Sequence, residues 1–332
     1  MDAAELTQFS GKERSLWAKS FSRLLRNKIA VISGIFIIVL VLVAIFADFL
    51  TPYTFAEQDL LNNNAVPEWM MFLLPEGGEN YARISNAYPL AADSLGRDIW
   101  TRTIFGARIS LIIAFSAASV DLVVGILIGM ISGYAGGRTD SIIMRVVDFL
   151  YAFPFLIAVI LLQTYFKAIG RRAGEGGLGN LIVNLNNEMG GLLFLFIAIG
   201  LLNWLQMARL ARGQVLATKK KEYVEAARAL GANDTRILVK HLFPNILGPL
   251  IVAETMAIPG YIFLEAFLSF IGLGVNPPTP SWGIMISEGI NGLRSYPNQV
   301  LIPAIALSLT TLAFNFLGDG LRDAFDPRQK DV

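Results

Sequence analysis

Hydrophobic and polar positions along this chain come in blocks and do not alternate. Six apolar blocks, residues 29–50, 109–134, 142–166, 191–207, 246–272 and 301–317, are separated by polar stretches. A helix needs about 20 mostly apolar residues to cross a hydrocarbon core ~30 Å thick. The pattern predicts an all-α polytopic membrane protein with six transmembrane helices. The first block is longer than the apolar region of a cleavable signal and has no small-residue cleavage site beside it, so it reads as a retained anchor.

Composition agrees. Of 332 residues, 54% are hydrophobic and only 16% charged, against about 25% charged in a soluble domain. The net charge of +1 says little; the positions of the charges say more. Lys12, Arg14, Lys19, Arg23, Arg26 and Lys28 precede the first block, and eight basic residues lie in the segment 208–245. The segment 51–98 has two basic residues against seven acids. The positive-inside rule therefore places both termini and 208–245 in the cytoplasm. Lys167, Arg171 and Arg172 count against this, and the other loops outweigh them. The chain divides into a tail (1–28), a first span (29–50), an external segment (51–106), a five-helix core (107–320) and a C-terminal tail (321–332). In the first tail Trp17, Phe21, Leu24 and Leu25 share a helical stripe, as in a helix lying on lipid.

Gly125, Gly129, Gly133 and Gly137 recur every four residues. They form a flat strip that lets another helix approach, within the subunit or between subunits. Asp121, Asp148, Glu254 and Glu265 lie at membrane depth, where an acid faces a cavity or a partner. Asp148 reads as structural, near Arg145. Glu254 and Glu265 are eleven apart and fall on nearly one helix face; this face either lines a translocation pathway or bonds a neighbouring helix. Pro154 and Pro259 read as kinks.

The stretch 221–245, KEYVEAARALGANDTRILVKHLFPN, is too polar to span yet is patterned. Tyr223, Ala226, Ala227 and Leu230 mark one stripe of a short helix. Gly231 fits its C-cap. Asn233 or Asp234 can cap a second helix, and Pro244 breaks or restarts it before the fifth span. A structured polar hairpin of this kind needs a surface to bury its face against.

Glu225-Ala226-Ala227, three residues, Gly231, nine residues and a unit ending in Pro244 resemble the EAA motif of permease subunits of ATP-binding-cassette (ABC) importers. His241 and Phe243 stand where the family has Ile and Leu. The runs DSLGRD (93–98), GARISL (106–111), GYAGG (133–137) and FNFLGDGLRDAFDP (314–327) are similar to the peptide-importer branch, most of all to C-type oligopeptide permeases, then dipeptide ones. The resemblance implies the type I importer fold. It implies a sister permease, two cytoplasmic ATPases that hold ATP and Mg, and an external peptide-binding protein. Glu222, Tyr223, Glu225, Ala226, Ala227, Arg228, Leu230, Gly231, Ala232 and Pro244 would form the ATPase-coupling loop. No cofactor, metal or nucleic acid is implied for this chain.

Other classes find less support. No Walker A pattern is present, so the chain does not supply its own P-loop. Gly174, Gly176 and Gly179 match a dinucleotide fingerprint without a preceding strand. There is no cysteine and one histidine, His241, so no convergent catalytic set stands out. An ion-coupled carrier would show inverted repeats, and the two halves show none.

Overall fold

The computed structural model describes residues 16–172 and 178–326, and every regular element among them is helical. Lys12, Arg14, Gly174 and Gly176 lie outside the described residues. We number the helices α1 (Leu16–Arg26), α2 (Lys28–Ile45), α3 (Ile99–Ala135), α4 (Gly137–Tyr151) and α5 (Phe155–Arg172). They continue as α6 (Leu178–Glu188), α7 (Leu192–Thr218), α8 (Glu222–Ala229), α9 (Asp234–Phe270), α10 (Trp282–Gly289) and α11 (Asn298–Phe325). Five of these, α2, α3, α7, α9 and α11, are each long and apolar enough to cross a membrane. The pair α4–α5 makes a sixth only as a broken span, bent by 79°.

The single span expected over 142–166 is therefore two helices. Pro154 is the cause: it has no N–H to continue the ladder, and it drives Phe153 out of the helical region. Several spans are also longer than their apolar blocks. Helix α3 starts at Ile99, not 109, because Asp98 caps it, accepting from the N–H groups of Trp100 and Thr101. One of its early arginines, Arg108, is satisfied close by. Arg108 donates to the carbonyls of Ala44 and Ile45 at 2.6 and 2.9 Å and to Asp48 at 2.8 Å. Likewise α11 runs on to Phe325, through the start of the stretch read as a tail.

Why the spans pack is visible in residue size. Helix α2 buries Ala30, Ser33, Ile37 and Ala44, a stripe at helical spacing. Its other faces expose Ile32, Ile35, Ile38 and Val39, the surface lipid would cover. Against α2 lies α11, where a Cβ on Gly320 would sit 2.3 Å from that of Ala30. In α3 a Cβ on Gly129 would come within 2.3 Å of the Ala208 carbonyl, and Gly125 and Gly133 abut Met207 and Val215 of α7. Small residues let backbones close on one another where there is no hydrophobic drive between helices. The fourth glycine does not belong to this strip. α3 ends at Ala135, and Gly137, at φ +53°, meets nothing within 4 Å.

The main apolar core joins α2, α3, α7, α9 and α11. Between α2 and α3 a single α-helical turn, Ala47–Leu50, is followed only by short 3₁₀ turns, and this segment folds as a cap over one end of the bundle. Val66, Met70 and Ala91 of that cap are buried with Ile99 and with Met285 of α10. Tyr88 is buried there and donates to the Gly96 carbonyl at 3.1 Å; burial, aided by Asp59, pushes its hydroxyl up to about 12.

Candidate functional site

The polar hairpin predicted over 221–245 is present, at the end of α9 opposite the α10 cap. Its first helix, α8, is capped by chemistry its sequence dictates. Gly231 stands at φ +82°, a conformation a side chain would strain. The Ala232 N–H reaches back to the Ala227 carbonyl, and the Gly231 N–H to that of Arg228, each at 3.0 Å. This pair of bonds is the Schellman arrangement. Glu222 and Glu225 lie in the first turn, where carboxylates favour the helix dipole. Asn233, not Asp234, caps the next helix, accepting from the Arg236 N–H at 2.9 Å.

Pro244 does not break that helix. A π turn over Ile237–Leu242 precedes it, and the chain continues as one helix to Phe270. The widened turn absorbs the missing N–H and the bulk of the ring.

The stripe that α8 buries also differs from the expected one. Val224 and Ala227 are buried, whereas Tyr223, Ala226 and Leu230 are exposed, Leu230 by 88%. Of the stripe read from sequence, Tyr223, Ala226 and Leu230 face outward and Ala227 alone faces in, because Val224 enters the protein beside it. Val224 joins Ile126 and Met130 of α3, Met207, Ala211 and Val215 of α7, and Ile237, Leu242 and Ile246 of α9. One residue of α8 thus packs in the same cluster as three spans.

Polar bonds tie together the helix ends around α8. The Tyr134 hydroxyl, at the end of α3, donates to Asp234 at 2.6 Å. Arg228 faces the same hydroxyl, which together with Asp234 pushes the guanidinium's pKa up. Lys219 donates to the Gly133 carbonyl at 2.7 Å. Beside them Arg212 grips Asp140 with two 2.6 Å bonds. Asp148 pairs with Arg209 at 2.7 Å, not with Arg145. Glu222 and Glu225 remain exposed.

A cleft of about 1150 Å³ opens between the start of α5, the middle of α7 and the middle of α9. Its lining is mostly apolar, with Asp121, Glu254 and Tyr261 at one side. Tyr261 donates to Asp121 at 2.6 Å. Glu254 is 3% exposed and neither of its carboxyl oxygens is bonded among the described residues; nor is one oxygen of Asp121. Glu265 does not border this cleft. It is fully buried and accepts from Ser110 of α3 at 2.7 Å and Ser269 at 2.6 Å. It bonds helix to helix, so the two glutamates have separate surroundings despite their spacing.

Sequence reading missed the tether from Tyr134 to Asp234, since the two are a hundred residues apart. It also missed a buried quartet. Arg97 and Arg102 both donate to Asp93, at 2.6 and 3.1 Å, and both to Glu288 at 2.8 Å. The run DSLGRD held a signal of it in Asp93 and Arg97; Glu288 could not be anticipated.

The family of inner-membrane components of binding-protein-dependent transport systems matches residues 125–331. This stretch holds α8, the Tyr134–Asp234 bond and all of the cleft's lining but Asp121. The chain belongs to that family. Residues 15–67 match the N-terminal transmembrane domain of oligopeptide transport permease C, so the second match takes in the first span of this permease. Along its length the permease is 39% identical to the oligopeptide transport system permease protein OppC of Bacillus subtilis, over 98% of this chain and 94% of that one. It is 37% identical to OppC of Escherichia coli, over 96% and 93%. It is 39% identical to the dipeptide permease DppC of Bacillus subtilis, over 93% and 85%. The permease also shares a fold with a chain of the MetNI methionine ABC transporter in inward-facing conformations, at TM-score 0.51 and 17% identity. That match covers 68% of this chain and 97% of the other. It is the type I importer fold, in a multi-pass protein of the bacterial inner membrane.

Proposed function

We propose that this permease forms, with a sister subunit, the passage for oligopeptides in an ABC importer, and that α8 is its mechanical joint to an ATPase. The observation that carries this is the two-sidedness of α8. Val224 is locked into a cluster with three spans, while Tyr223, Ala226 and Leu230 face outward with no covering partner among the described residues. An exposed leucine on a rigid, capped, otherwise polar element marks a docking surface. Glu222, Glu225 and Arg228 border it and suit a charged rim.

In this reading α8 and both termini are cytoplasmic, and the 51–98 cap is external. The ATPase surface receives α8 as a knob. When the ATPases close on ATP, the push passes through Val224 and the Tyr134–Asp234 bond into α3, α7 and α9. Those helices wall the cleft, so the passage turns outward to meet an external binding protein; hydrolysis returns it. ATP and Mg stay on the ATPases. Phe21 and Leu25 of α1, both exposed, rest on lipid.

The oligopeptide assignment is supported by the OppC relatives; dipeptide or other small solutes are the second reading, favoured by the DppC likeness. The test is uptake into vesicles holding the full complex. Labelled oligopeptide should enter only with ATP and loaded binding protein. L230D should abolish uptake and capture of the ATPase by the permease, with the permease still folded. Capture undiminished in L230D would remove α8 as the joint.

A further inference from the structure

At the end of the bundle opposite α8, a second hollow of about 620 Å³ lies between α5, α6, the end of α9 and α10. It rests on the transport reading above and concerns what the walls recognise. Pockets of this size hold small ligands. Its polar lining is unusual in kind. Gln163, Asn186, Asn187 and Asn276 all border it, so four carboxamides converge from three separate stretches of chain.

Two of the four have their structural work elsewhere. The Asn186 carbonyl oxygen accepts from the Phe194 N–H at 3.0 Å. The Gln163 amide donates to the Leu273 carbonyl at 2.9 Å, which leaves its side-chain oxygen unbonded although the residue is wholly buried. An unpaired buried carbonyl oxygen is costly; this one is closed off from solvent, so the carboxamides a ligand in the hollow meets first are those of Asn187 and Asn276. The side chains of Asn187 and Asn276 bond to no described group, and Asn187 is exposed.

The one charged residue on the lining is Glu288. Its bonded oxygen takes a guanidinium N–H from both Arg97 and Arg102, and Asp93 completes the set. Two positive and two negative groups cancel, so the hollow carries no net charge.

We propose that this hollow is a subsite for the main chain of a passing peptide, read through its amide groups. A carboxamide offers one N–H face and one C=O face, the complement of a peptide group. A neutral wall of such groups binds backbone alike whatever side chains follow. A charged wall would hold peptides of opposite sign too tightly to release them and would repel the rest.

The absence of cysteine from the chain makes the test direct. N187C, in the full complex in vesicles, is labelled with a membrane-impermeant maleimide. Labelling is timed with binding protein that is empty or loaded with a neutral, an acidic or a basic peptide, under ATP turnover. All three peptides should slow labelling severalfold and to a similar extent, and a peptide N-methylated on its main-chain amides should slow it much less. In a companion variant, N187D should import basic peptides severalfold faster than acidic ones, a bias the unmodified complex lacks. Peptide import by the unmodified complex with labelling of N187C unchanged, or with no charge bias in N187D, overturns this subsite alone. An unmodified complex that imports no peptide overturns the transport reading and the subsite with it.

Discussion

Glu254 shows how much one side chain can concentrate. It sits where the cleft meets α9, next to an Asp121 that already accepts from Tyr261, and its own oxygens have no partner among the described residues. Glutamine keeps its shape and adds an N–H that can donate to the unbonded oxygen of Asp121. Leucine fills the space but leaves Asp121 half-satisfied. E254Q should therefore assemble and transport close to the unmodified level, and should be more stable than E254L by about 1–3 kcal/mol, the difference between a bonded and an unbonded buried oxygen on Asp121. Thermal unfolding of the purified complex, beside uptake, reads both. Equal melting of the two variants would mean that the pair has no hydrogen-bonding role. The glycines differ in the same local way. G129V places carbon against the Ala208 backbone and should cost about 1–3 kcal/mol or more. At Gly213 an added Cβ meets nothing within 4 Å, so G213A should raise helix stability by about 0.5–1 kcal/mol. Melting of these two variants in opposite directions checks the close α3–α7 approach.

At the scale of elements, the hairpin was legible because its signals are local. Asn233 and Gly231 act within four residues of themselves, and the chain needs no tertiary knowledge to place them. Its buried face was not legible, because Val224 is chosen by a cluster drawn from α3, α7 and α9. Of the expected stripe only Ala227 is buried; Tyr223, Ala226 and Leu230 have a helical spacing too and face the other way. The spans behaved alike: apolar composition located them, while their ends depended on how Asp98, Arg102 and Arg108 found partners. The broken third span had its signal in Pro154, which fixes where a helix stops but not the angle at which the next begins. The tether makes a prediction at this scale. Y134F deletes the 2.6 Å bond to Asp234 and keeps the ring. A hydrogen bond of this kind contributes about 1 kcal/mol, so transmission should weaken roughly fivefold. The ATPases should still bind and turn over, so the ratio of peptide imported to ATP hydrolysed should fall. An unchanged ratio would leave Val224 packing as the sole link.

The two ends of the bundle are held together by different chemistry. At one end α8 meets the spans through apolar contacts of Val224 and through Arg228, which faces Tyr134, itself bonded to Asp234 at the start of α9. At the other, the cap is fastened to α10 by the quartet of Asp93, Arg97, Arg102 and Glu288, with Arg102 1% exposed. A buried ion pair adds little stability over an apolar substitute, but breaking it by removing one partner leaves a charge without its counterion, at about 3–5 kcal/mol. Glu288 is a third exposed on its side chain, so solvent screens part of this and R102M should cost nearer 2–3 kcal/mol. That loss falls on the joint between cap and bundle, not on the spans. Limited proteolysis should therefore cut R102M within residues 51–98 while the membrane helices stay whole. The doubly substituted R102M/E288M restores balance, because Arg97 and Asp93 remain as a 2.6 Å pair and the two methionines are uncharged. It should regain most of the resistance that R102M loses. If R102M resists the protease as well as the unmodified chain, apolar packing of Val66, Met70 and Met285 holds the cap, and the quartet does not.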